Sequence, residues 1–442
     1  MNELLIVNGT ISNTETLFQA DIAIREGIIV EIGKLNIEDF SGYEVIDAKG
    51  KYIFPGGIDP HVHLQLPTPA GPSCDDFETG SKAAISGGTT FLIDFVTPSR
   101  GESLMKALAF RLKESNKCLI DYTLHVGITW FDETVPEQME WCVNEVGIKS
   151  FKVYLAYKGS IGIEYDELEQ VMKTAASLGA LVLVHCEEGD IILRNQKRFI
   201  SEGKTQPLYH VLSRPAETES ESVRKVLDLC RKTACKTYIV HTSTAKSIEL
   251  IRAAKLEGLP VFCETCPQYL LLNESEYSKP LPESLKYVIS PPLRSKADQQ
   301  ALWMALADGT VDVISTDHCP FNTFGQKNVG FNDFSKIPNG AGGIEHRLAL
   351  LFTYGVLTQK ISLQQFVGLT STNAAHIFGL YPQKGVVEVG SDADLVIWNT
   401  GTKSVISLKS QLQHCDSNIY ENMKTQGEAE FVLYKGKILF GV

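Results

Sequence analysis

Hydrophobic positions along the chain fall into two regimes. Residues 1–54 alternate in short β-prone runs, "LLIVNGTI", "ADIAIREGIIVEIG" and "EVIDAKGKYIFPG", with Asn8-Gly9 and Glu26-Gly27 as the expected hairpin turns. The last sixty residues return to that style in "GVVEVGSDADLVIWN" and "EFVLYKGKILFGV". Between these ends, short apolar runs alternate with longer stretches whose apolar residues recur at helical spacing. Eight runs read as strands: "GIDPHVHL", "TTFLIDFV", "IDYTLHVGI", "SFKVYLAY", "ALVLVHC", "KTYIVHT", "LPVFCET" and "VDVISTD". In "STAKSIELIRAAKLEGLP", Ile248 and Ile251 share a helix face, Gly258 fits the stop and Pro260 follows. Eight strand–helix units predict an α/β fold, a (β/α)8 TIM barrel over residues 55–379. The β-rich ends, 1–54 and 380–442, predict one small β-sandwich domain built from both termini.

Composition narrows the function classes. The 442 residues are 43% hydrophobic and 21% charged, ordinary for a globular chain with ample core. A net charge of -12 argues against a nucleic-acid or anionic-membrane partner. No apolar run is long enough for a membrane span, and the start "MNELLIVNGT" shows no signal peptide, so a cytoplasmic protein is expected. Ten cysteines are too sparse for a disulfide scaffold. The one close pair, Cys263 and Cys266, reads as a strand end entering a turn.

Ionisable residues then fall at one recurring place. The ends of five expected strands carry His61 and His63, Lys152, His185, His241 and Asp317. In a TIM barrel that end is the one where the βα loops open and catalysis is placed. Singly, each has a bland reading: a hydrogen-bonded histidine, a solvated lysine, a helix-capping aspartate. Six at the same point of the repeat make that coincidence improbable. His125 keeps the bland reading, as do His210, His346, His376 and His414, which lack the setting.

The chemistry of the set is that of a metal centre. His61 and His63 alternate on one strand and face the same side. An ammonium cannot ligate a cation, but a desolvated, neutral lysine can take up carbon dioxide and become a carboxylate arm. N-carboxylated Lys152 then bridges two divalent ions, His61 and His63 serving one with Asp317, and His185 and His241 the other. Two such ions generate a nucleophile from water at neutral pH and polarise a carbonyl oxygen. Asp317 is placed to shuttle the proton to a leaving nitrogen; Tyr157, past Lys152, reads equally as an oxyanion stabiliser or as an aromatic packed under a loop.

The motifs "PGGIDPHVHLQLP", "SFKVYLAYKG", "VLVHCEEGD", "YIVHTSTA", "ETCPQYL", "VISPPLR" and "STDHCPF" resemble, in order, those of cyclic-amide hydrolases of the amidohydrolase superfamily. The D-hydantoinase and dihydropyrimidinase group is nearest, and the likeness spans essentially the whole chain. It implies two metals, usually zinc, on His61, His63, Lys152, His185, His241 and Asp317, with Tyr157 as the oxyanion residue. It also implies that the backbone at Ser290 and Asn339 holds the substrate's ring amide. The implied reaction opens a dihydropyrimidine or hydantoin ring to an N-carbamoyl amino acid. Sibling families differ after the HxH: dihydroorotases resemble "HxHLRxP", and allantoinases place Asn and Glu where this chain has Gln65 and Leu66. Allantoinase or another cyclic-amide hydrolase remains the alternative. A non-catalytic scaffold like the collapsin response mediator proteins ranks lower, since all six positions are ligating. The loop "LPTPAGPSCDD" departs from typical hydantoinases, so Leu66, Pro67 and Leu155 are expected to shape the substituent pocket. A homodimer or homotetramer is the expected assembly.

Overall fold

The computed structural model describes residues 3–441. Five strands open the chain: β1 (Leu4–Ser12), β2 (Leu17–Arg25), β3 (Ile28–Gly33), β4 (Glu44–Asp47) and β5 (Tyr52–Pro55). Eight parallel strands follow: β6 (Gly57–Val62), β7 (Thr89–Val96), β8 (Asp121–Gly127), β9 (Ser150–Tyr154), β10 (Leu181–His185), β11 (Lys236–Ile239), β12 (Val261–Thr265) and β13 (Val313–Ile314). Three more close it: β14 (Leu395–Val405), β15 (Lys424–Tyr434) and β16 (Lys437–Gly441).

The eight expected central strands pair in sequence order, β6 to β13, as a parallel barrel wrapped by helices. Most of their residues are buried on both faces, β7 along its whole length, which is why they read as apolar runs without alternation. The seam between β6 and β13 is closed mainly by polar groups. Arg347, fully buried, donates to the carbonyls of Ile58 and Ile314 at 2.7 and 2.8 Å. At the barrel mouth His63 N–H donates to the His318 carbonyl at 2.8 Å, and the Thr316 hydroxyl to Asp59 at 2.6 Å. The opposite end is plugged by the helix Asn373–Ile377 and Phe378, packed on Ile58, Phe91, Leu181 and Tyr238.

Strands from both termini form one mixed sheet in the order β16-β15-β14-β5-β1-β2-β3, with β4 also pairing β1. Its own apolar cluster includes Ile6, Ile22, Ile53, Leu395 and Ile397. Glu26-Gly27 makes the expected turn between β2 and β3, both residues at positive φ. Asn8-Gly9 does not make a hairpin: it lies inside β1, where the register shifts between Ile6 and Gly9. Asn8 sits at φ 64°, its N–H bonded to Asp21 and its side chain to Asp47, so the pair forms a bulge. Gly9 is required there, because a Cβ would meet Ile53 Cδ1 at 2.3 Å. The turn itself falls at Asn13–Thr16.

Elsewhere the expected helix forms as Ala245–Leu256, capped by the Thr244 side chain and followed by Gly258 at φ +82°. Cys263 ends up inside β12 and Cys266 just past it, both buried free thiols. Among the described residues no helix is long and apolar enough to cross a membrane.

Candidate active site

The C-terminal ends of the barrel strands open into a cavity of about 520 Å³. It brings His61, His63, Lys152, His185, His241 and Asp317 together, as expected from their places in the repeat. Ligand atoms of His61, His241 and Asp317 all lie within 4.8 Å of one another. The Nε2 atoms of His61 and His63 are 3.2 Å apart, and each is 3.2 Å from Asp317 Oδ1. Across the site, His185 Nδ1 is 2.9 Å from His241 Nε2. Two nitrogens bound tetrahedrally to one ion at about 2.0–2.1 Å stand roughly 3.3 Å apart. The donors are therefore already spaced as two pairs, each suited to one cation.

Acidic residues outside the set orient it. His61 Nδ1 is bonded to Glu264, which turns Nε2 inward; Glu264 also accepts from Tyr238 and from the His241 N–H. His185 Nε2 lies 2.8 Å from Glu187, which is in turn gripped by Arg214. Burial would push the Glu187 carboxyl up, but Arg214 and His185 outweigh it and hold it at about 2. Burial, with the Lys152 charge second, holds His61 well below the ordinary imidazole range, and burial foremost does the same to His241. Neutral imidazole is the form that ligates.

Lys152 is 1% exposed, and its Nζ has no hydrogen-bond partner. Burial pulls its pKa down to about 8. A buried amine without an acceptor is costly as an ammonium and accessible as a neutral amine, the form that carboxylation requires. Nδ1 of His63 and His241 and the Ser290 hydroxyl are likewise buried and without partners. Four imidazole nitrogens in two close pairs and an orphaned amine around an aspartate fit a pair of divalent cations.

Tyr157 stands over the site at φ 57°, its ring 5.3 Å from that of His185, its hydroxyl beside the Ser290 and Asn339 side chains. Burial raises its pKa, so it remains a proton donor. Ser290, Asn339 and Leu66 all line the cavity. Leu155 does not: it is 1% exposed and packs in the core between barrel and helices. Side chains alternate along β9, so Lys152 and Tyr154 face the barrel interior while Leu155 turns to the helix layer. Ile161, from the loop beyond, lines the cavity on this side.

Four contributors escaped the motif reading. Glu264 and Glu187 lie on or just past strands β12 and β10, in "CETC" and "CEEG", yet acidic residues there gave no separate signal. His318 follows Asp317, is fully buried and meets Asp75 at 3.0 Å, while its Nδ1 accepts from the Gly343 and Ile344 N–H groups. Lys327, 1% exposed, donates to the carbonyls of Val288 (2.8 Å) and Pro338 (3.1 Å), so one ammonium joins the segments that carry Ser290 and Asn339. Burial brings it down to about 7. By contrast His125 is structural, bonded to Ser150 and the Pro60 carbonyl.

Comparison with known proteins agrees with this geometry. The model of the amidohydrolase family matches residues 52–439. A D-hydantoinase of Geobacillus stearothermophilus is 44% identical over 436 residues, covering 98% of this chain and 92% of that one. A dihydropyrimidinase of Dictyostelium discoideum is 39% identical over 440 residues, covering 99% and 87%. The crystal structure of a dihydropyrimidinase from Brevibacillus agri aligns with a TM-score of 0.98 at 42% identity, covering 99% of this chain and 95% of that one. On its site geometry and on matches that run nearly end to end, the chain belongs to the amidohydrolase family, in its D-hydantoinase and dihydropyrimidinase branch.

Proposed function

We propose that the protein hydrolyses the cyclic amide bond of dihydropyrimidines or hydantoins, giving N-carbamoyl amino acids. The family is metal-dependent, and the site contains a group able to hold an ion. In this reading His61, His63, His185, His241, Asp317 and an N-carboxylated Lys152 would together hold two zinc ions. Bound there, they lower the pKa of water and polarise the scissile carbonyl.

The chain's own residues do the rest. Asp317, its Oδ1 3.2 Å from the Nε2 atoms of His61 and His63, accepts the proton of the attacking water. It returns that proton to the ring nitrogen as the C–N bond breaks, giving the terminal NH2 of the ureido group and a carboxyl that loses its remaining proton to solvent as a carboxylate. The Tyr157 hydroxyl donates to the oxygen that gains charge in the tetrahedral step. Main chain at Ser290 and Asn339 holds the ring amide. Leu66, Pro67 and Phe321 surround the exocyclic group and exclude water. The same reading assigns 1–54 and 380–442 to the β domain and 55–379 to the catalytic barrel, and makes the working form a cytoplasmic homo-oligomer.

One observation carries this reading: two preset histidine pairs, an unpartnered buried lysine amine and an aspartate share one cavity with mostly apolar outer walls. The test is ring opening by metal-loaded, bicarbonate-treated protein, with chelated protein as control. Dihydrouracil, hydantoin, a bulky 5-substituted hydantoin, allantoin and dihydroorotate form the panel. Metal-dependent turnover of the first three is expected. Preference for allantoin, or silence on all five with two metals bound, would overturn the substrate class.

A further inference from the structure

The loop after β6, residues 65–76, walls the cavity with Leu66, Pro67, Pro69 and Ala70. Ser73 fastens it to the site: its hydroxyl donates to the His63 carbonyl at 2.7 Å and accepts from Leu66 N–H at 2.9 Å. Just beyond is Cys74. The long connection between β14 and β15 returns to this edge of the barrel and brings Cys415 to the same stretch of chain as Cys74: Cys74 N–H donates to the Pro320 carbonyl at 2.9 Å and Cys415 Sγ–H to that of Phe321 at 3.4 Å. Their chain neighbours are joined directly, His414 N–H donating to Asp75 Oδ1 at 2.8 Å.

Both thiols also touch one third segment. Cys74 Sγ–H donates to Gln326 Oε1 at 3.2 Å and Cys415 Sγ–H to the Phe321 carbonyl at 3.4 Å. Gln326 in turn holds the cavity loop, donating to the Pro72 carbonyl at 2.7 Å. Seven of the ten cysteines are fully buried, whereas Cys74 and Cys415 are both partly exposed. Cys415 is the better nucleophile of the two: the neighbouring Cys74 and Ser417, in that order, outweigh burial and bring it to about 7.

We propose that Cys74 and Cys415 form a reversible disulfide that pins the cavity-wall loop to the β14–β15 connection, a redox-sensitive lock on the substrate pocket. The oxidant is a low-molecular-weight disulfide, RSSR. The Cys415 thiolate attacks one of its sulfurs and expels RS⁻. Cys74 then loses its proton and attacks the Cys415 sulfur of the mixed disulfide, expelling the second RS⁻. Each cysteine sulfur is oxidised by one electron, one RSSR is reduced, and the two cysteine protons end on two RSH. Closing the sulfurs to about 2.05 Å draws Cys74 towards Cys415 and off Gln326, and the wall residues move with it.

The whole protein is equilibrated with excess oxidised glutathione, denatured and alkylated, with a reduced sample as control. The expected result is a fall from ten alkylated thiols to eight, one linked peptide containing Cys74 and Cys415, and full recovery with reductant. Cys415→Ser is expected to show no such linked peptide. Ten free thiols after oxidation, or a link between other cysteines, would overturn the pairing. Hydrogen exchange of amides 66–74 reads the lock: slower exchange in the oxidised protein is expected, and unchanged exchange would overturn it. Neither readout depends on which ring the enzyme opens.

Discussion

Tyr157, His241 and Asp317 each hold a positive φ, at 57°, 38° and 51°, as does Gln65 at 50° beside the cavity. Non-glycine residues in that region cost about 1–3 kcal/mol each and persist where the surroundings over-determine them. Here they are the residues just beyond strand ends, where the backbone must turn sharply to aim a side chain back into the barrel mouth. Tyr157→Phe keeps the ring and removes only the hydroxyl. It is expected to retain bound metal and lose on the order of 10²–10³ in kcat, measured by steady-state kinetics beside metal analysis. Lys152→Ala is expected to lose both metal and activity, with partial rescue by a short-chain carboxylic acid. Full activity without the acid would rule out the bridge.

Glu187 makes a pH prediction with a definite sign. Its folded pKa of about 2 lies below its ordinary 4.5, so its ion pair stabilises fully above 4.5 and is lost as pH falls towards 2. The gap corresponds to about 3 kcal/mol. Denaturant titrations between pH 5 and pH 2 are expected to show a steeper loss of stability for the native protein than for Glu187→Gln. Equal slopes would mean that the Arg214 pair contributes nothing in this window.

At the scale of elements, strand ends carry the six convergent ionisable residues and loops supply the rest of the cavity wall. Lys152 and His185 lie within the paired strands β9 and β10, and His241 and Asp317 just beyond the ends of β11 and β13. The segments around Ser290 and Asn339 have no such ladder; Lys327 ties them through two carbonyls, and the Gly340 N–H adds a third bond to Val288. Lys327→Met keeps the bulk and removes the bonds, at a cost of about 1–3 kcal/mol. Expressed in binding, that is roughly a tenfold rise in KM for each 1.4 kcal/mol, with kcat little changed. A fall in melting temperature with KM unchanged would reduce Lys327 to a structural part.

At the scale of the whole molecule, the two domains are joined by a buried cation. Lys384 Nζ reaches Asp121 of β8 at 2.8 Å and, on the β-domain side, Asp392 and Asp394 at 2.8 and 2.6 Å. The three carboxylates are close enough to suit a metal, but the ammonium already stands among them. Lys384→Met leaves the buried Asp392 and Asp394 without their cation, while Asp121 keeps Lys435 at 2.9 Å, and is expected to cost about 3–5 kcal/mol, read by equilibrium unfolding.

The eight-strand alternation, the β-rich ends and the six convergent ionisable residues were legible in one dimension. Period and position in a repeat are local properties, and a barrel turns each strand end into a point on one rim. Asn8-Gly9 was misread because a bulge and a hairpin turn share the same left-handed chemistry. Only the partner strands, through Asp21, Asp47 and Ile53, decide between them. Leu155 was misplaced because one residue of register moves a side chain from the cavity to the helix layer. The sequence by itself determined the fold class and the convergence of the six ionisable residues on one rim. Tertiary structure alone decided the orienting pairs Glu264–His61 and Glu187–His185, the Lys327 tie, the polar barrel seam and the meeting of Cys74 with Cys415. Those contacts join residues tens to hundreds of positions apart or turn on side-chain direction, and no local pattern encodes which buried charge finds which partner.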